Sequence, residues 1–355
     1  MTTEEIEEHE DSSSDSKSAD SVLPATTGRS VGVHRFALLA ICLVWPLIWV
    51  GGLVTTYDAG MAVPDWPNTY GRNLWLYPWK TWLFGPFDLF IEHGHRLLGT
   101  VVGLVGILIL VASIMKEKRS WVTWLAALFL AMVIGQGILG GVRVLREDRT
   151  IAMLHGCVGP ICFALCVFVA VVTGKSWYAK QTLGASELPN ISKAVSIIGV
   201  IVLATSYLQL VFGAQLRHVQ PNTSPSHFTL IVFFHVVTAF LLWAMTCLLW
   251  AKTRRCGDLT LSRPALVLIG LVGVQIALGI GTWVVNYGWP VFLQFVPGST
   301  GFLVRAKGYW DSLIVTAHVA TGSLILSLAV VALLRILQVR YLANLLKVNQ
   351  TVTTK

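Results

Sequence analysis

The chain has 355 residues, of which 55% are hydrophobic and 12% are charged, and its mean hydropathy is +0.69. An ordinary soluble domain carries about 25% charged residues, so this composition argues against a water-soluble enzyme and indicates a polytopic membrane protein. The net charge is +8, but eight of the 18 acidic residues precede residue 21, and the basic residues form short clusters between apolar runs. That distribution is typical of membrane topology and gives no support to a nucleic-acid partner.

The N-terminal segment, residues 1–35, is rich in Ser, Asp and Glu and precedes the first aromatic residue, Phe36. Such a segment has too little apolar surface to offset the entropy of ordering, so we predict a disordered acidic cytoplasmic tail. It lacks the basic start and short apolar core of a secretory signal peptide.

Eight uncharged stretches follow the tail, and each can hold one membrane-spanning helix of about 20 residues. The longest stretch is bounded by Gly and Pro residues near 288–298, so it leaves room for only one helix. The sequence therefore predicts an all-α polytopic membrane protein with eight spans in the lipid bilayer. The stretches are Phe36–Tyr57, Leu97–Met115, Ser120–Val142, Thr150–Gly174, Ala194–Leu216, His218–Ala251, Pro264–Val304 and Ser312–Leu334.

The distribution of Lys and Arg predicts the direction of the spans. Fourteen of these residues lie in the segments 116–119, 174–193, 252–263 and 335–355. The two short loops on the other side hold four, which are Arg143, Arg146, Arg149 and Arg217. The two longer segments on that side add Arg72, Lys80, Arg305 and Lys307. The positive-inside rule then places both termini in the cytoplasm, so that even-numbered spans enter from the outer face.

The two longer segments on the predicted outer side are aromatic. We call residues 57–91 the first outer segment and residues 287–310 the second outer segment. Their tryptophans include Trp66, Trp75, Trp79, Trp82 and Trp289. Two interpretations stay open: a passive belt at the lipid headgroups, or lids that cover a site.

A repeat runs through the odd-numbered spans. Gln136, Gln209 and Gln275 are each followed four residues later by a glycine, whereas the first span keeps only Gly51 and Gly52. Small residues at this spacing also serve plain helix contact in lipid, so packing alone is an alternative.

The even-numbered spans each carry one histidine soon after the predicted outer boundary: His95, His155, His235 and His318. Spans 1–4 thus look like spans 5–8, and both halves begin in the same direction. This predicts a parallel repeat of two pseudo-symmetric four-helix bundles, 36–174 and 194–335. A cytoplasmic linker, 175–193, joins the bundles, and a cytoplasmic tail, 336–355, follows them.

Four histidines at one depth can converge in pairs inside a bundle and bind a metal. Zinc or di-iron sites would need acids or thiolates as well, whereas haem needs only one or two axial ligands. We therefore predict two haem sites, His95 with His155 and His235 with His318, with the glycines leaving room for the macrocycle. Packing and proton relay are the alternatives. Haem propionates would pair with arginines near the outer side, the candidates being Arg96, Arg143, Arg146, Arg149, Arg217 and Arg305.

One acid breaks the symmetry of the two halves. Glu92 precedes His95 by three residues, about one helical turn, and no acid stands at this spacing before the other three histidines. We predict that Glu92 is a proton acceptor or charge stabiliser in a reacting N-terminal half. The alternative is an acid that only favours the helix N-terminus. His93 competes with His95 as a ligand, but the two point to nearly opposite sides of a helix, and the repeat favours His95.

Together these features resemble the haem A synthase family, whose members oxidise a ring methyl of haem O to a formyl group. The resemblance covers residues 36–335 and includes the run Glu92-His93-Gly94-His95-Arg96, which matches the family's E-x-x-H-R signature. The run Thr56-Tyr57-Asp58-Ala59-Gly60 through Asp65-Trp66-Pro67 is similar to the family's first outer loop.

The resemblance implies that His95 and His155 flank the iron of the substrate, haem O, and that Glu92 serves its oxidation. It further implies that His235 and His318 hold a haem b cofactor that takes electrons, which pass to an acceptor such as a quinone. A bacterial inner membrane location and delivery of the substrate by haem O synthase are also expected.

One feature departs from some relatives, which carry a cysteine pair in an outer loop. Here five cysteines lie in spans and Cys256 lies on the inner side, so we expect no outer disulfide. Two other functions compete with the synthase. A di-haem b-type electron carrier or quinone oxidoreductase would also place histidine pairs in bundles, and a transporter would also show a repeat.

Overall fold

The structure is a computed structural model that describes residues 30–184, 187–291, 294–299, 301–305 and 308–353, with backbone only for 350–353. Most of the predicted N-terminal tail, residues 1–29, lies outside the described residues. Within the described ranges the chain is helical and forms no β-strand. The predicted all-α class is therefore confirmed.

Eight helices in the described part of the chain are long and apolar enough to cross a membrane, which confirms the predicted number of spans. Two short helices, α2 (Trp79–Leu83) and α6 (Lys175–Gln181), lie between them. The spans are α1 (Val31–Thr56), α3 (Phe87–Lys116), α4 (Ser120–Arg146), α5 (Arg149–Thr173), α7 (Lys193–Arg217), α8 (Pro225–Arg254), α9 (Leu259–Tyr287) and α10 (Tyr309–Thr353).

The first and last spans are longer than the uncharged stretches that predicted them. Helix α1 begins five residues earlier, at Val31, because Val33 is fully buried and His34 Nδ1 is bonded to the carbonyl oxygen of Ala170 over 2.9 Å. Helix α10 runs about 19 residues past Leu334 as one continuous helix. Its apolar stripe continues at helical spacing through four buried residues, Ile336, Val339, Leu342 and Leu346.

The predicted linker is anchored to α10 and to the start of α9. It contains α6, whose Trp177 carbonyl accepts a hydrogen bond of 2.7 Å from Gln338 in α10. Lys180 forms an ion pair with Asp258, and Asp258 also accepts a hydrogen bond from the backbone N–H of Thr260 at the start of α9. These contacts fix the connection between the two halves of the chain.

The core consists of two main apolar clusters, one in each half of the chain. Phe129 and Phe163 lie in the first, and Leu249 and Leu268 lie in the second. Helix α10 packs against α1 and α5 as well as α7 and α9, so it joins the two clusters. The pseudo-symmetry of the two bundles stays a prediction.

Candidate functional site

Two histidines of the N-terminal half face each other near the predicted outer side. His95 is the ninth residue of α3 and His155 is the seventh residue of α5. Their ring centroids are 6.3 Å apart and the ring planes meet at 77°. We call them the first histidine pair.

The C-terminal half contains a second pair with nearly the same geometry. His235 of α8 and His318 of α10 have ring centroids 6.2 Å apart, and their planes meet at 75°. The structure therefore brings together the two pairs that the positions of the histidines in the spans suggested. Their role as ligands stays a prediction.

A glycine on the neighbouring odd-numbered span faces each histidine ring. A Cβ atom built on Gly51 would lie 2.9 Å from Cε1 of His95, and one on Gly279 would lie 3.1 Å from Cε1 of His318. The corresponding distances are 3.3 Å from Gly140 to His155 and 3.5 Å from Gly213 to His235. The glycines thus make room for the imidazole rings themselves, rather than directly for a macrocycle as the sequence suggested.

The Nδ1 atom of each of these four rings is buried and makes no hydrogen bond within the described residues. Each ring also interacts with the backbone carbonyl of the residue four positions before its facing glycine, but the geometry of this contact is not that of a hydrogen bond. The four carbonyls belong to Leu47, Gln136, Gln209 and Gln275. The backbone of the odd-numbered span therefore accompanies each ring at two positions, this carbonyl and the facing glycine.

Two glutamines of the repeat hold the histidine-bearing helices by their backbone. Gln209 Nε2 donates to the carbonyl oxygen of His235 over 2.7 Å, and Gln275 Nε2 donates to that of His318 over 2.8 Å. In the first half, Nε2 of Gln136 is buried and has no hydrogen-bond partner among the residues that the structure describes. In the second pair, the Gln-x-x-x-Gly motif therefore makes two contacts with each histidine: the glutamine binds its backbone carbonyl, and the glycine faces its ring.

The spacing of the rings fits a metal that is bound between them. An imidazole nitrogen binds a first-row metal at about 2.0 Å, and the ring centre lies about 1.1 Å behind that nitrogen, so two opposed rings would be separated by about 6.2 Å. The observed separations are 6.3 and 6.2 Å. No group of three or more His, Cys, Asp or Glu side chains in the described ranges is arranged to hold a metal ion. Two imidazoles without acid or thiolate match the donor set of haem iron.

Glu92 is almost fully buried, with 1% of its surface exposed. Its Oε1 atom accepts a hydrogen bond of 2.8 Å from Arg96 in an ion pair, and its Oε2 atom accepts one of 3.0 Å from the backbone N–H of Val63. Both carboxylate oxygens are therefore engaged, and the carboxylate is fixed against the first outer segment.

Arg96 connects this ion pair to the first outer segment. Its guanidinium donates to the backbone carbonyl oxygens of Val63, Asp65 and Asn68 at 2.6 to 3.0 Å, in addition to Glu92. With these acceptors in place, Arg96 is a structural anchor. The expectation that it pairs with a propionate is not supported by this arrangement.

His93 lies on the other side of α3 from His95. Its Nδ1 atom is 3.0 Å from the hydroxyl oxygen of Thr69, and its ring packs against Tyr77 and Trp82 at centroid distances of 5.3 and 5.0 Å. His93 therefore faces the first outer segment, whereas His95 faces His155. No sequence signal pointed to Thr69 or to the N–H of Val63, because loop partners follow no helical spacing.

The first outer segment also reaches α4 beside the first histidine pair, through Trp66. A Cβ atom on Gly141 would overlap the indole ring of Trp66, so this ring lies directly on the backbone of α4. The neighbouring Gly140 is the residue that faces His155. This contact favours the interpretation of the first outer segment as a cover. The second outer segment is described only in part, and its covering role stays a prediction.

All six cysteines are free thiols. Cys157, Cys162 and Cys166 are buried in α5, and Cys166 donates from Sγ to the carbonyl oxygen of Phe163. They pack as small apolar side chains.

Comparison with known proteins identifies relatives that match most of the membrane-spanning region. The family model for cytochrome oxidase assembly proteins, COX15-CtaA, matches residues 34–304. A protein of Symbiobacterium thermophilum named Heme A synthase is 25% identical over 276 residues, which are 71% of this chain and 84% of the relative. A protein of Methylobacterium radiotolerans with the same name is 24% identical over 315 residues, which are 72% of this chain and 82% of the relative.

A third relative, from Shouchella clausii and also named Heme A synthase, is 27% identical over 202 residues. That match covers 56% of this chain and 64% of the relative, so the chain spans slightly less than two thirds of it. The family model covers well over half of the chain and includes His95, His155, His235 and Glu92. The resemblance found in the sequence is confirmed, and the chain belongs to the COX15-CtaA family of cytochrome oxidase assembly proteins.

Proposed function

We propose that this protein is a haem A synthase, which oxidises a ring methyl of haem O to a formyl group. The observation that carries the proposal is the pair of matched histidine sites, 6.3 and 6.2 Å between ring centroids, each ring facing a glycine. Membership of the family and the names of the three relatives support it.

The reaction is an oxidation by successive hydroxylations. Conversion of the methyl to the aldehyde takes one water oxygen in the net balance and releases four electrons and four protons. Two hydroxylations give a gem-diol, which loses water to form the formyl group. The protein must therefore hold the substrate, accept protons close to the methyl and lead electrons away.

The first histidine pair is proposed to bind the iron of haem O. Glu92, Arg96 and Arg143 accompany this pair, whereas Val232 and Val315 stand three residues before His235 and His318. An acid beside the reacting methyl can accept a proton or stabilise developing positive charge. The ion pair with Arg96 keeps the Glu92 carboxylate in one orientation for that role.

The second histidine pair is proposed to hold a haem b cofactor. When bound there, haem b supplies one-electron chemistry and passes electrons to an acceptor such as a quinone. His235 and His318 would supply the axial nitrogens, and Gln209 and Gln275 fix the backbone of both ligands. A pair without a neighbouring carboxylate suits electron transfer better than proton removal.

The location in the membrane is part of the proposal. The excess of Lys and Arg in the segments 116–119, 174–193, 252–263 and 335–355 supports cytoplasmic termini in a bacterial inner membrane. Both histidine pairs would then lie near the periplasmic surface. A haem O synthase in the same membrane is the expected source of substrate.

A di-haem b-type electron carrier or quinone oxidoreductase is the second candidate. The near identity of the two pairs, with interplanar angles of 77° and 75°, favours two similar haems. Extraction and chromatography of haems from the purified protein, co-expressed with a haem O source, separates the candidates. Haem O or haem A beside haem B supports the synthase, haem B alone supports the carrier, and no haem contradicts both.

A further inference from the structure

Arg143 is a half-buried arginine without a partner for its guanidinium. It lies three residues after Gly140 on α4, about one turn beyond the glycine that faces His155. No hydrogen bond or ion pair to its side chain occurs among the described residues, whereas Arg96 donates to four acceptors. Arg217 donates to the carbonyl oxygen of Gly52 and the hydroxyl of Thr56, at 2.6 and 2.7 Å.

The position of this guanidinium is set by the first outer segment. A Cβ atom on the buried residue Gly60 would overlap Nη1 of Arg143 and would lie 3.3 Å from both Cζ and Nη2. The guanidinium is therefore in close contact with the backbone of the first outer segment at Gly60. Its charge acts on both rings of the first histidine pair, His95 and His155.

Among the described residues, the guanidinium of Arg143 has no carboxylate of its own to balance its positive charge. The charged groups that act on Arg143 are Glu92 and Arg96, and these two form an ion pair with each other. A guanidinium that is partly removed from water is costly without an anion, and a carboxylate is the acceptor that its paired donors fit best. The ligand that belongs beside the first histidine pair must therefore carry an anionic group.

We propose that Arg143 binds a propionate carboxylate of the haem substrate and thereby sets which edge of the macrocycle points toward the outer side. This inference rests on the proposed function, because it requires a haem between His95 and His155. It assigns one arginine from the six candidates in the sequence. Among the other candidates, Arg96 and Arg149 are engaged, and Arg146 and Arg305 are exposed. Arg217 donates from Nη2 to the first span, and although its Nη1 atom is buried with no hydrogen-bond partner among the described residues, its charge acts on His318 of the second pair.

The test is a titration of the full-length protein in nanodiscs of neutral lipid with haem O and with its dimethyl ester. Binding at the first pair is measured as the Soret absorbance of the wild-type protein minus that of a His155→Ala variant. Wild-type protein should bind the free acid about ten- to a hundredfold more tightly than the ester. Arg143→Gln should lose this preference, Arg143→Lys should keep part of it, and Arg146→Gln on the same helix should keep all of it.

Other results would overturn the inference in distinguishable ways. Equal affinity of wild-type protein for acid and ester excludes a carboxylate anchor, and this comparison needs no variant to fold. A full preference for the acid in Arg143→Gln assigns the anchor to another residue. Tighter binding only after addition of anionic lipid, without preference for the acid, assigns the guanidinium to a phosphate. Absence of any His155-dependent Soret absorbance contradicts the proposed function together with this inference.

Discussion

Arg96 and Glu92 form a buried ion pair of 2.8 Å, one helical turn apart on α3, and both also bind the backbone of Val63. Arg96 donates to the carbonyl oxygen of Val63, and Glu92 accepts from its N–H. The carboxylate proposed for catalysis and the first outer segment therefore belong to one hydrogen-bonded network. A change in either is expected to affect the other.

Substitution of Glu92 by glutamine tests the role of the carboxylate. The Glu92→Gln side chain keeps the shape and one acceptor oxygen but cannot take up a proton or stabilise positive charge. Positioned acid–base groups contribute about a hundredfold or more, so we expect haem O to accumulate and haem A to fall by about that factor. Chromatography of extracted haems measures both.

Asp88 offers the matched control for this prediction. It lies in the first turn of α3, is exposed, and is better placed than Glu92 to favour the helix N-terminus. Asp88→Asn should therefore leave haem A production unchanged. Normal haem A production in Glu92→Gln would show that Glu92 serves structure only.

Alanine at the facing glycines should disturb one histidine pair at a time. In Gly51→Ala the new methyl group would lie 2.9 Å from His95, and in Gly279→Ala it would lie 3.1 Å from His318, so each ring must shift. Gly51→Ala should reduce the haem retained by the first pair, and Gly279→Ala that retained by the second. The haem-to-protein ratio and the identity of the extracted haems distinguish the two outcomes.

Two glycines with open space around them serve as controls. No atom lies within 4 Å of a Cβ built on Gly137 of α4 or Gly273 of α9. Gly137→Ala and Gly273→Ala should retain both haems. Loss of the same haem in Gly51→Ala and Gly279→Ala would contradict the assignment of two separate sites.

The pairing of the histidines was predictable because it depends on position along each span. His95, His155, His235 and His318 lie at similar distances from the outer ends of helices, and residues at one depth in a small bundle must be neighbours. The facing glycines follow the same rule, since small residues recur where a large ring needs space. The positions of the histidines and of the glycines both recur from span to span, so they can be recognised in a single sequence.

The contacts of the first outer segment were not predictable in the same way. Arg96 binds backbone carbonyls, and any residue type supplies such an acceptor. Helix α10 was also predicted too short, because Arg335 and Arg340 interrupt the uncharged run. These arginines bind Ser176 and Ser196, while the buried stripe through Ile336 and Val339 continues the helix.

The contact between Trp66 and Gly141 predicts a specific coupling. A methyl group in Gly141→Ala would occupy the place of the indole ring, which is too rigid to adjust, so the ring must leave α4. We expect a loss of about 1 to 3 kcal/mol of stability and faster proteolysis within the first outer segment. Thermal unfolding and limited proteolysis in nanodiscs measure these effects.

The double variant Trp66→Ala/Gly141→Ala should recover part of that loss, because the smaller side chain removes the overlap. The effects of the two substitutions are therefore expected to be non-additive, as for residues in direct contact. Additive losses in the double variant would show that Trp66 does not pack on Gly141 in the membrane.

Asp65 predicts how the first outer segment responds to pH. Its carboxylate accepts hydrogen bonds of 2.8 and 2.7 Å from the backbone N–H groups of Tyr70 and Gly71. Burial alone would raise the pKa of Asp65, but these two N–H groups and the charge of Arg96 outweigh it and lower the pKa below 3.8. A lowered pKa in the folded state means that the ionised carboxylate stabilises the segment above about pH 4, and that this contribution is lost as the pH falls through the lowered value.

Hydrogen exchange of the amides of Tyr70 and Gly71 measures this contribution. At pH 7 we expect about fivefold faster exchange in Asp65→Asn than in the wild type, since a neutral amide oxygen accepts more weakly than a carboxylate. The difference between the two proteins should shrink as the pH falls through the lowered pKa of Asp65, where the wild-type carboxylate becomes protonated. Asp58→Asn is the matched control, because Asp58 is exposed in the same segment and its φ of 55° suits asparagine equally well. A difference that persists unchanged to pH 2 would mean that the substitution acts through side-chain packing and not through the charge.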